Sequence, residues 1–526
     1  MVGVPGRSKG CLTCKKRKKG CDQKRPICGQ CQKAKIICGG YAPSTTFVPF
    51  RPERADSAER ATGRDATALG LRLSPTSDSG QSLNRTASQS RIIDEYWQIF
   101  FPNVVLAQTS ASLPIESMGS WAYVVQEAGK ETSFVKTALL AVTLANLSRR
   151  SGEEGLRIAA IEAYSASLRE VNLSLQDPRR QQSDLLLAVI KLLALYESSG
   201  GSGGSKSGPN WEKHSMGVTR LLSVRGPEKH TEDLAHALFL DARYQAATIS
   251  IKQRKPCILA EREWMLRPWL TRPKSIRDNI IDIMLQLPAI LECYDKAIAL
   301  EESSQEEDSA RYLFFQLCKI FDAEVQSFLR KLKIGIDAVL LARIENGIPE
   351  DFDMRHAFLA QTMAMYWAMA VLYTHTVQLA FQHFQISVPS PASSRDFFEP
   401  SQYALNIGRS VKYFFRHDAG KMNAHTFSYP LSMALQYMAF TQEAETGGYH
   451  LLTDAFTLGD TGSMIRDFLV SIQASASEGK INSDPQRHDY EAIRARATAW
   501  FTYTKRPSRK SSPAPNPVLG QHMIMQ

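Results

Sequence analysis

The chain has 526 residues, 43% of them hydrophobic and 22% charged, which excludes a disordered or low-complexity protein and leaves room for more than one domain. Its formal net charge is +10, and the excess is local: residues 1–41 hold eleven Lys and Arg against the single acid Asp22, while the rest of the chain balances. Such a patch has polyanions as its natural partners.

The opening "MVGVPGRSKG" lacks the apolar core of a secretory signal, and we expect an intracellular protein. Next comes "GCLTCKKRKKGCDQKRPICGQCQKAKIICGGY", residues 10–41, with six of the nine cysteines. These are Cys11, Cys14, Cys21, Cys28, Cys31 and Cys38, and the half-motif C-x2-C-x6-C occurs twice with identical gaps. A disulfide framework would suit a secreted chain; C-x2-C pairs in a reducing compartment suit zinc. One tetrahedral zinc leaves two cysteines over. Two zinc ions need eight ligand positions, which six sulfurs fill only if two of them bridge. The duplication nominates the first cysteine of each half, Cys11 and Cys28. So small a segment buries little core, so the metals must supply its folding free energy. "CKKRKKGC" should form a short helix starting near Cys14, and Gly20 should let the chain turn back to bring Cys21 to the metal.

The six spacings, the basic run after the second cysteine, Asp22 after the third and Pro26 between the halves resemble the fungal Zn2Cys6 binuclear-cluster DNA-binding domain. The resemblance implies a small module of two short helices around two zinc ions, whose exposed face reads a CGG-type triplet of double-stranded DNA in the major groove. It assigns base contact to Lys18, three residues before Cys21, with Arg17 next. The chemistry agrees, because guanine presents two acceptors there and Lys or Arg is the matching donor. Lys15, Lys16, Lys19, Lys24 and Arg25, with Lys33 and Lys35, read as phosphate contacts that add affinity and salt dependence. Many members carry Lys or Arg just before the third cysteine, where this chain has Gly20.

Residues 42–90 are rich in Pro, Ser, Thr, Ala and Arg and read as a disordered linker. Ala55, Ala58, Ala61, Ala66, Leu69 and Leu73 sustain no heptad repeat, so no coiled coil and no oligomeric state follow from this segment. From residue 91 helical periodicity takes over: "RIIDEYWQIFF" puts Ile92, Ile93, Tyr96, Trp97 and Phe100 on one face. We expect one all-α domain over 91–505 and a disordered tail over 506–526. Its acidic run "EESSQEEDSA", residues 301–310, reads as a solvated loop. The uncharged run 358–381 is broken by Gln361, Thr362, Thr374, His375, Thr376 and Gln378, so it reads as a buried core helix and not as a membrane span. "LLALYESSGG" and "NWEKHSMGVTRLLSVRGP" resemble the fungal-specific transcription factor regulatory domain through Tyr196, Glu197, Trp211, His214, Gly217, Arg225, Gly226 and Pro227.

Enzyme signatures are absent: there is no H-E-x-x-H and no G-x-x-x-x-G-K. "GGSGG", residues 200–204, matches G-x-S-x-G formally, but it follows a helix inside a flexible loop, which is no setting for Ser202 as a nucleophile. His214, His375 and His383 read as packing or surface histidines, and Cys257, Cys293 and Cys318 as buried thiols. The chain therefore reads as a nuclear, zinc-dependent transcription regulator of RNA polymerase II genes and not as an enzyme. The transcription machinery or a small-molecule effector would be further partners of the helical domain. The rival readings are an enzyme with a fused zinc module, and a redox- or metal-responsive scaffold without sequence preference.

Overall fold

The computed structural model describes residues 12–17, 19–22, 28–34, 36, 38, 79–100, 120–203, 207–300, 304–386, 400–441 and 447–474. The chain divides into two units, Met1–Asp65 and Ala66–Gln526. Every regular element among the described residues is helical. Most of the segment read as linker, and the expected tail, lie outside them.

The first unit contains two short helices, α1 (Leu12–Lys16) and α2 (Gly29–Lys33). Helix α1 starts two residues ahead of Cys14 and ends at Lys16. The next turn closes through Arg17 N–H on Thr13 O at 3.0 Å and Lys19 N–H on Cys14 O at 3.1 Å.

The second unit opens with α3 (Ser79–Phe100), which begins inside the stretch read as linker. Ile93, Tyr96, Trp97 and Phe100 are buried on one side, as the periodicity requires. Helices α4 (Ser120–Glu131), α5 (Ser133–Ser151) and α6 (Glu154–Ser174) follow, and α5 and α6 pack side by side across Gly152. Gly152 has φ +72° and donates to Ser148 O, the left-handed helix end that glycine makes without steric cost. Helices α7 (Asp184–Ser198) and α8 (Ser207–Arg225) form a second packed pair.

Helices α9 (Asp233–Gln253), α10 (Arg262–Leu266), α11 (Ile276–Ile298) and α12 (Gln305–Gly335) continue the bundle. Helix α11 starts on a capping box, in which the Ser275 hydroxyl accepts from Asp278 N and the Asp278 carboxylate accepts from Ser275 N. Helix α12 shows why a 31-residue amphipathic helix is stable: Phe314, Cys318, Phe321, Val325, Phe328 and Leu332, spaced four and three apart, are buried. Its first turn contains Glu306, Glu307 and Asp308 beneath the Ser304 cap. The acidic run is therefore a helix start from Ser304 onward and not a loop; carboxylates there offset the exposed N–H groups and the helix dipole.

After α13 (Ala338–Ile344) comes α14 (Ala357–His383), buried on nearly every side and packed by α11, α15 (Pro400–Phe414) and α16 (Gly420–Phe440). This is the expected core helix: a helix apolar all round has no face to offer water. No helix among the described residues is long and apolar enough to cross a membrane. Helices α17 (Gly447–Thr453) and α18 (Gly459–Ala474) end the described unit, with α18 packed on α8 and α16.

Candidate metal and nucleic-acid site

Five of the six cysteines converge. Cys14, Cys28 and Cys31 are buried against one another, with Cys21 and Cys38 packed beside them. Cys14 Sγ lies 3.6 Å from Cys28 Sγ and 3.9 Å from Cys31 Sγ. Thiolates bound to zinc at about 2.3 Å stand roughly 3.8 Å apart along the edge of a tetrahedron, so this spacing fits shared metal coordination. Cys28 also lies in a second group, with Cys21 and Asp22, and is the sulfur common to both groups. Cys11 lies outside the described residues.

Local structure holds these thiols in place. Cys28 is the N-cap of α2, and its sulfur accepts the Cys31 N–H at 3.3 Å, an interaction that favours the thiolate. Both Asp22 oxygens accept the Gly29 N–H, at 2.9 and 3.1 Å, which ties the loop after Cys21 to the start of α2. A Cβ on Gly29 would sit 2.4 Å from Asp22 Oδ2, so a side chain there would push the Asp22 carboxylate out of its present position on the Gly29 N–H. Sequence reading counted Asp22 only as a family marker and missed this role. Gly20, by contrast, has no positive φ, and a Cβ there would meet nothing within 4 Å, so the turn to Cys21 does not depend on glycine.

Lys16, Arg17, Lys19 and Lys33 are exposed. Arg17 lies on the turn that ends α1, not on the helix itself. Lys18, Lys24, Arg25 and Lys35 lie outside the described residues, as does the Lys15 side chain.

Three residues of the second signature, Tyr196, Glu197 and His214, meet in one part-buried polar cluster. Glu197 Oε1 accepts from the Tyr164 hydroxyl at 2.6 Å, Ser202 Oγ at 2.8 Å and Asn210 Nδ2 at 3.1 Å. With its proton on Glu197, the Tyr164 oxygen accepts from His214 Nε2 at 2.8 Å. Tyr164 also stacks on Tyr196, with ring centroids 4.2 Å apart. Burial pushes the Glu197 carboxyl upward against the pull of its donors, and holds the His214 imidazole down at about 4. Ser202 thus serves the carboxylate from a turn after α7, not from a nucleophile elbow.

Trp211 meets Phe468 of α18 edge to face, with centroids 5.5 Å apart. Arg225 closes α8 onto the start of α7 through Ser183 O at 2.9 Å and the Asp184 carboxylate. Gly226, at φ +80°, then turns the chain into Pro227. Nothing in the structure explains glycine at position 217.

The remaining histidines pack as expected, and Cys293 and Cys318 are buried thiols, but Cys257, the N-cap of a short 3-10 turn, is only partly buried. His375 lies edge-on to Tyr437 and Phe440, and burial lifts the Cys318 thiol to about 12. His214, His230 and His375 are all held near 4 by burial. The unfolded chain takes up these protons first, near pH 6.5, so acid favours unfolding. The urea midpoint of the helical unit is expected to hold above about pH 7 and to fall steadily from pH 6.5 toward pH 4. A midpoint that rises over that window would contradict neutral buried imidazoles.

Residues 9–46 match the fungal Zn(2)-Cys(6) binuclear cluster domain, and residues 92–250 match the fungal specific transcription factor domain. An uncharacterized protein of Emericella nidulans is 28% identical over 172 residues, covering 31% of this chain and 35% of that protein. An uncharacterized transcriptional regulatory protein of Schizosaccharomyces pombe is 50% identical over 46 residues, 8% of each chain. The aspercryptin biosynthesis cluster-specific transcription regulator of Emericella nidulans is 43% identical over 58 residues, 10% of each. The chain thus spans about a third of the first of these relatives and a tenth or less of the other two. No solved structure matches it. The cluster takes two zinc ions, and the thiols brought together here suit them. The chain carries the two domains of a fungal zinc-cluster transcription factor: a binuclear zinc cluster at its N-terminus and a fungal specific transcription factor domain in its helical unit.

Proposed function

We propose that the chain is a nuclear, sequence-specific DNA-binding regulator of RNA polymerase II genes, with no catalysis of its own. The observation that carries this reading is the gathering of zinc-spaced thiols within the one segment that holds all the excess positive charge. The six cysteines hold the two ions, with Cys11 and Cys28 bridging. The position of Cys28 in both donor groups supports its half of that assignment. The bound zinc supplies charge and rigidity, not chemistry on the DNA.

In this reading Lys18 and Arg17 address the guanine edges of a CGG-type triplet. The exposed Lys16 and Lys19, with Lys15, Lys24 and Arg25, contact phosphates. The helical unit relays regulation to or from the transcription machinery or an effector. Unbiased selection of binding sites by the purified protein tests the reading and should return a CGG-containing motif. Lys18→Ala should then weaken binding to that motif by about 1–3 kcal/mol while sparing random DNA. Equal losses on both would reassign Lys18 to the phosphates, and a selection without any motif would favour a scaffold that senses salt but not sequence.

A further inference from the structure

Helix α12 leaves apolar side chains in water beside the stripe it buries. Leu313, Ile320 and Ile334 are 53%, 58% and 87% exposed, on the helix that packs Phe314, Phe321 and Phe328 into the core. The three fall on one position of a heptad repeat, with Ser327 in the gap between Ile320 and Ile334. One apolar residue in water needs no explanation, but three in register along one line form a seam. The helix has 31 residues and is about 46 Å long, so the seam has the length of a coiled-coil contact.

The charges beside the seam state what fits it. The N-terminal end carries Glu306 and Asp308, and the C-terminal end carries Arg330, Lys331 and Lys333, all exposed. The helix dipole accounts for the sign at each end. It does not account for the apolar line between them. A helix that is acidic at one end and basic at the other complements a copy of itself running the opposite way. A parallel copy would set acid against acid and base against base.

The positions agree with an antiparallel pair. Glu306 and Ile334 lie equally far from Ile320, so a two-fold axis at Ile320 sets Glu306 of one copy against the last turns of the other. At 3.6 residues per turn, Glu306 and Lys331 share one flank of the seam, and Asp308 and Arg330 share the other. Like flanks face each other in an antiparallel pair, so each acid is matched by a base. Leu313 then comes opposite Ser327 of the second copy, large against small, and Ile320 meets its own equivalent.

We propose that α12 is a self-association surface, through which two copies of the helical unit pair antiparallel about an axis at Ile320. The inference concerns the helical unit alone and does not depend on DNA recognition.

Sedimentation of the full-length, zinc-loaded protein at micromolar concentration and low salt tests it. The wild type should sediment at twice the mass of one chain. Ile320→Lys sets two like charges at the axis and should weaken the association by about a hundredfold. Its helical circular dichroism should not change, because the side chain it replaces is exposed. Glu306→Lys should weaken the association by about tenfold, and adding Lys331→Glu should restore it. A monomeric wild type overturns the proposal, whether another part of the chain or a different protein covers the seam. So does a dimer that Ile320→Lys leaves intact, since the contact then lies elsewhere. A single reversal without effect, or a double reversal without recovery, overturns the antiparallel pairing.

Discussion

Stripping zinc from the full-length protein should abolish specific DNA binding and leave the far-ultraviolet circular dichroism of the helical unit unchanged. The described core of the first unit is little more than its cysteines, since Cys14, Cys28 and Cys31 are its buried residues. A core of thiols alone cannot offset the conformational entropy of ordering the segment. Structural zinc contributes about 10–16 kcal/mol in small finger peptides, which decides folded against unfolded. Cys28→Ser should act like the chelator, because Cys28 belongs to both donor groups and also caps α2. Loss of the helical signal along with the metal would mean that the two units are not independent. A Cys28→Ser protein that retains two zinc ions per chain would remove Cys28 from the bridging role.

The second large effect lies in the helical unit. Lys191→Ala should destabilise it by about 3–5 kcal/mol, a large share of the 5–15 kcal/mol typical of folded domains. The Lys191 side chain is 0% exposed and that of its partner Asp241 is 3% exposed, so truncation breaks a buried ion pair and takes the ammonium donor from Asp241. Lys191 also lies over the Trp121 ring, 5.2 Å from its centroid, and alanine would forfeit that contact and leave a cavity. The companion variant Lys191→Met fills the space and should cost less than alanine. Urea denaturation at neutral pH reads both. A loss for alanine of under about 1 kcal/mol would indicate that water reaches Asp241.

The metal centre was legible because its signal is local. Six cysteines at fixed intervals encode coordination number directly, and the structure brings five of them together. The buried stripe of α12 and the all-round burial of α14 were legible for a related reason: periodic apolar residues state which face is covered. Single polar residues state no such thing. Tyr164 reaches Glu197 and His214 across intervals of 33 and 50 residues, and neither interval leaves a trace in periodicity. The same holds for Lys191 and Asp241, 50 residues apart. Charge counting misled at residues 304–310, where carboxylates suggested a loop but start a helix beneath Ser304, with Glu306 and Asp308 still in solvent. Composition misled at Gly20, a glycine without a geometric task, and passed over Gly29, which has one.

The close approach of α8 and α18 bears on how this protein can be dissected. A Cβ on Gly208 would lie 2.4 Å from the Ile472 backbone nitrogen, and Lys252 donates to Ile472 O at 3.2 Å. The stretch recognisable by kinship, 92–250, therefore borrows its closing wall from residues more than two hundred positions downstream. Cut free at 250, it would bare the Trp211 ring and the flank of α8 to water, an invitation to aggregate. Kinship and autonomy part company here: the smallest piece that can stand alone reaches at least to α18.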